Sequence, residues 1–128
     1  MRIVFSLLLY GLLLGVGAVR KHLPAAAARV AMRFELRLAI HLFWRGAGMD
    51  DAVLSYMQAD ADAYGPALVE QLFTCTPGSR QESMFWVPLI PFLSDKRLRA
   101  RVQEYATNRA QPGFRAEIET TLNEAKNW

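Results

Sequence analysis

The run from Ile3 to Val19 carries no charge and ends against Arg20, Lys21 and His22. A helix satisfies its own backbone hydrogen bonds, so such a run is stable in hydrocarbon. At about 1.5 Å per residue it reaches about 26 Å, slightly less than the roughly 30 Å core of a typical bilayer. Three readings compete. A secretory signal would use Val16, Gly17 and Ala18 as its cleavage site, but Arg2 alone precedes the apolar region, and Arg20 and Lys21 would follow the cut, where basic residues resist translocation. A buried soluble helix would carry a polar stripe, and none is evident here. A retained membrane anchor suits the run best, with Arg20 and Lys21 snorkelling toward head groups.

Flanking charge sets the expected orientation. Arg20, Lys21, Arg29 and Arg33 follow the run and only Arg2 precedes it, so the positive-inside rule places the C-terminal bulk in the cytoplasm, or in a mitochondrial matrix. Gly11 and Gly15 form a G-x-x-x-G inside the run. Two glycines one turn apart let a second helix approach closely, although glycine is also simply common in membrane helices.

The 128 residues leave room for one small helical domain beyond the anchor. Cys75 is the only cysteine, which excludes an internal disulfide and a cysteine-based zinc cage. His22 and His41 match no metal-ligand spacing. Through Arg45 there are seven basic residues and one acid, Glu35; from Gly46 to Phe73 there are five acids and no base. The first 34 residues hold no acid, a balance shared with mitochondrial targeting segments, though those are less apolar and richer in serine.

Nearly every segment reads as helix. Pro24 suits a helix start, and Ala25 to Trp44 meets no breaker before Gly46 and Gly48. Asp50 can cap a helix to about Tyr64, with Leu54, Met57, Ala61, Tyr64 and Leu68 as its stripe, and Gly65-Pro66 should kink or restart it. Met84 to Leu93, interrupted by Pro88 and Pro91, reads as extended. Ser94 or Asp95 caps the next helix, and Phe114, Ile118, Leu122 and Ala125 line the last. The expected fold is all-α: a single transmembrane helix (residues 1–22), a basic amphipathic helix (23–46) and a small helical domain (47–128).

Arg29, Arg33, Arg37, His41 and Arg45 recur every four residues. On a helix this spacing makes a slowly winding cationic stripe, while the other faces are apolar. The stripe can meet anionic lipid, a partner protein, or the chain's own Asp50, Asp51, Asp60 and Asp62. Lys96, Arg97, Arg99 and Arg101 form a second basic cluster at a helix start, where cations oppose the macrodipole. Solvated surface explains it more simply than an anionic partner. The near balance of charge beyond the anchor argues against nucleic acid.

Asp60-Ala61-Asp62-Ala63-Tyr64-Gly65 imitates the opening of an EF-hand loop, but Tyr64 and Gln71 stand where ligands belong, so no metal is expected. Cys75 has no histidine placed beside it by any local pattern and reads as a structural thiol. No base, nucleophile and orienter converge in sequence, so no catalytic residue and no cofactor are expected. No family signature emerges.

The expectation is a non-catalytic accessory subunit of a membrane complex, with the mitochondrial inner membrane favoured and the respiratory chain or ATP synthase as settings. Its partners would be other subunits and an anionic phospholipid such as cardiolipin, bound through Arg20, Lys21, Arg29, Arg33 and Arg37. Gly11 and Gly15 would serve helix packing. Phe85, Trp86 and Phe92, in an unusually apolar connector, would touch the partner. The alternative is a free-standing, exported or membrane-tethered bacterial helical binding module.

Overall fold

The computed structural model describes residues 2–46 and 48–128; Met1, Ala47 and the Arg2 side chain lie outside the described residues, and with them the basic group expected ahead of the span. The described residues form seven α-helices: α1 (Arg2–Arg20), α2 (Ala25–Trp44), α3 (Asp50–Ala59), α4 (Ala61–Thr74), α5 (Arg80–Leu89), α6 (Lys96–Asn108) and α7 (Pro112–Ala125). One 3-10 turn, Ile90–Phe92, follows α5. The all-α class is as expected. Among the described residues one helix, Ile3–Arg20, is long and apolar enough to cross a membrane, a property that signal sequences share. The expected boundaries near residues 22 and 46 fall in the α1–α2 and α2–α3 connections, while the compact units are Met1–Ala67 and Leu68–Trp128, divided within α4.

In the first unit, α1 and α2 form an antiparallel hairpin. Leu23 N–H bonds to Arg20 C=O at 3.1 Å and closes the turn, and Pro24 (φ −58°, ψ 157°) leads into α2. At one end Arg45 Nε donates to Ser6 Oγ at 2.8 Å, and at the other Arg20 meets Glu35. α1 packs along one face: Ser6, Leu13 and Gly17 are buried, with the 7- and 4-residue spacings of one helical side. Leu36, Ala39, Ile40 and Leu42 of α2 and Val53 and Met57 of α3 are buried as well. Gly46 (φ 79°) and Gly48 (φ 75°) adopt left-handed backbone after α2, where a side chain would be strained.

Two local expectations fail for identifiable reasons. The helix break falls at Asp60 (φ −125°, ψ 51°), five residues before Gly65-Pro66. The Asp60 carbonyl accepts from Ala63 and Tyr64 N–H at 3.1 and 3.0 Å, so α4 starts there and runs through Pro66. The buried faces then become Val53 with Met57 and Tyr64 with Leu68, while Ala61 is exposed. Met84 to Leu93 is helical, not extended. Pro88 removes one i→i−4 hydrogen bond in the last turn of α5, and the helix ends one residue later, while Pro91 sits in the first positions of the 3-10 turn, which its fixed φ suits. At the start of α5, Glu82 reaches back to accept Gly78 N–H at 3.1 Å and satisfies a donor ahead of the helix.

The second unit closes around Leu72, Trp86, Leu89, Leu93, Val102, Tyr105 and Ile118, all buried. Trp86 meets the Phe114 ring edge-to-face at 5.9 Å. Asp95 caps α6 by accepting Arg97 N–H at 2.8 Å.

Candidate functional site

Glu35 is the lone acid of α2, and its side chain is 0% exposed. Burying a carboxylate is costly unless it is paired and hydrogen-bonded, and three other helices supply the partners. Arg20, at the end of α1, places Nε 2.5 Å from Glu35 Oε2. Tyr56 on α3 donates to Glu35 Oε1 at 2.9 Å, and Tyr64 on α4 donates to the same oxygen at 2.7 Å. Arg20 Nη2 also reaches Asp60 Oδ2 at 2.5 Å, at the α3–α4 junction. Tyr56 stands edge-to-face with Tyr10 at 6.4 Å and with Tyr64 at 5.9 Å.

The clasp needs a gap in α1. Gly17 is that gap: a Cβ there would collide with Tyr56 Oη and lie 2.9 Å from Glu35 Oε1. Burial first, and Glu35 second, push the Tyr56 hydroxyl up to about 12 and drive Tyr64 higher still. Both phenols are thus kept neutral as donors. The arrangement holds helices together, since each Glu35 oxygen already has a donor from the protein. Sequence reasoning treated Arg20 as a snorkelling lipid ligand. Its guanidinium instead turns inward to two carboxylates, because among the described residues it is the cation that pairs with the buried Glu35. The available signal was Glu35 itself, a single acid in an otherwise apolar and basic stretch.

The other candidates separate clearly. Lys21, Arg29, Arg33 and Arg37 are exposed, and among the described residues none of them makes an ion pair. The fold-back of Asp50, Asp51, Asp60 and Asp62 onto the stripe does not form there; Asp60 goes to Arg20. Arg45, at the end of the stripe, lies over the Phe5 ring at 4.6 Å. Gly11 and Gly15 face away from α2, with nothing within 4 Å of a Cβ at either, so they take no part in the hairpin. Trp86 and Phe92, expected to touch a partner, are 1% and 4% exposed within the second unit; only Phe85 is half-buried. Trp86 of α5 and Phe92 of the 3-10 turn are interior to the second unit.

In the second basic cluster, Arg99 Nη1 donates to the carbonyls of Leu93 and Ser94 at 3.0 and 2.8 Å, and Arg101 lies over Phe73 at 5.1 Å. These contacts explain why cations are tolerated at the start of α6. Lys96, Arg99, Gln103 and Lys126 border an open cleft of about 430 Å³ floored by Ala100 and Leu122.

Cys75 is buried, with Sγ donating to Gln71 C=O at 3.2 Å; burial, then Glu82, pushes its thiol up, which disfavours the reactive thiolate. Asp60 to Gly65 enters α4 instead of forming a calcium loop, and no grouping of three metal-ligating side chains occurs among the described residues. Comparison with protein-family models, with curated proteins and with solved structures gave no match.

Proposed function

We propose that this chain is a non-catalytic accessory subunit held at a membrane through its α1–α2 hairpin. The observation that carries the reading is the outer face of α1. With the hairpin closed, Ile3 is 64% exposed, Leu8 67% and Val19 59%, and Val4, Leu7 and Leu12 are exposed beside them. Soluble monomers rarely leave a contiguous apolar surface of this extent uncovered. The buried face of α1 supports its retention. Cleavage after Ala18 would keep Arg20 beside Glu35 but remove Ser6, Leu13 and Gly17, the buried residues of the helix that α2 packs against.

The setting follows from charge. An acid-free first 34 residues and the exposed Arg29, Arg33 and Arg37 suit an anionic leaflet, with cardiolipin of a mitochondrial inner membrane as the natural lipid and the C-terminal bulk on the matrix side. A respiratory-chain complex or ATP synthase is the corresponding assembly. The connector from Met84 to Leu93 lends no support, since its aromatics are mostly internal. That burial favours the second reading, a self-contained, membrane-tethered module. Mild-detergent extraction of native membranes followed by native electrophoresis separates the two. Migration with a large assembly is expected; migration only as a free small species overturns the subunit reading.

A further inference from the structure

We infer that the clasped α1–α2 hairpin lies along the surface of an anionic bilayer instead of crossing it; this rests on the membrane reading above and specifies how the membrane is met. Ser6 stands opposite Arg45, and Gly17 stands opposite Glu35. Antiparallel pairing in that register sets Arg37 and His41 beside the middle of α1, between those two ends. Both side chains are exposed. A bilayer crossed by α1 in this hairpin would therefore take Arg37 and His41 into its hydrocarbon, where a charged residue is strongly disfavoured.

In the plane of the membrane the same features agree. The buried stripe of α1, Ser6, Leu13 and Gly17, faces the protein, and the opposite side, with Val4, Leu8, Leu12 and Val19, is apolar and exposed. That face sinks into the head-group and acyl boundary. On α2, Val30 and Phe34, 67% and 52% exposed, alternate with the exposed Arg29, Arg33 and Arg37. Lys21 stands exposed in the turn. No acid precedes Glu35, and Glu35 is buried, so the apolar face is bordered by positive charge alone over this stretch. A basic border on an apolar face is complementary to phosphate head groups above acyl chains, and this commits the occupant to an anionic lipid surface.

The test uses the full chain in phosphatidylcholine vesicles with and without cardiolipin. Cys75→Ser removes the native thiol, and single cysteines replace Val4, Leu8, Leu12 and Val19 for nitroxide labelling. Collision with a lipid-soluble and a water-soluble relaxant gives the depth of each label. An in-plane hairpin gives one common shallow depth at all four positions. A crossing helix gives labels deep at Leu8 and Leu12 and shallow at Val4 and Val19, which overturns this inference and leaves the membrane reading standing. Failure to bind either vesicle overturns both. Replacing Arg29, Arg33 and Arg37 together by glutamine is expected to weaken partitioning onto cardiolipin vesicles about a hundredfold, from three lost contacts. Equal partitioning onto neutral vesicles, or no loss in the triple variant, overturns the anionic-surface assignment.

Discussion

Glu35 shows how much one residue can decide. It is the only acid before Gly46, and it is inaccessible, so Arg20, Tyr56 and Tyr64 are committed to it. Glu35→Ala leaves Arg20 with Asp60 alone and two phenols without their acceptor. A loss of about 3–5 kcal/mol is expected, the range for breaking a buried pair, as read by denaturant unfolding in detergent. Gly17→Ala should also destabilise the fold, because its Cβ meets Tyr56 Oη. Gly11→Ala and Gly15→Ala, which meet nothing, should leave folding unchanged. The raised phenols give a pH signature. Tyr56 moves from the ordinary 10.0 to about 12, so between those values the unfolded chain has lost the proton and the folded chain keeps it. The unfolded state then binds fewer protons, and stability, fully present below about pH 10, falls as pH rises. Tyr64 and Tyr105, also raised, act in the same direction. Ultraviolet titration of tyrosinate should show delayed ionisation that disappears on unfolding.

At the scale of elements, α5 and the hairpin carry the testable consequences. Trp86 lies in the interior of the second unit against Phe114. Trp86→Ala should cost about 3–5 kcal/mol of stability through the cavity it leaves. The half-buried Phe85 should cost much less when truncated. If Trp86→Ala leaves stability intact and only detaches the chain from an assembly, α5 is a contact surface and its inward placement is wrong. The hairpin explains why α2 tolerates so many cations. One flank is occupied by α1 and α3, and the arginines line what remains.

For the whole molecule, the apolar face of α1 sets the solution behaviour. Without detergent or lipid the chain should self-associate, and addition of either should return a cooperatively folded species; sedimentation in the two conditions reads this directly. Because α2 packs against the buried Ser6, Leu13 and Gly17 of α1, the native protein should keep α1. Its intact mass should include the residues before Val19, and a soluble species starting there would overturn the anchor reading.

The sequence alone determined the all-α class, the ends of α1 and α2, a cap at Ser94 or Asp95 and the apolar character of α1, because these follow from local periodicity, capping and breakers acting within one or two turns. The Ser79-to-Glu82 spacing of a capping box was also present in the sequence and would have revealed α5 ahead of its prolines. Which way a side chain turns was decided only by the tertiary structure. Arg20 looks the same in sequence whether it meets a phosphate or Glu35, and the choice depends on a carboxylate fifteen residues away and another forty away. The glycine used for close approach is Gly17, not Gly11 or Gly15, because the gap is dictated by where Tyr56 arrives from α3. Periodicity marks a face as apolar or charged, but what that face meets is set by long-range packing, which no window of a few turns contains.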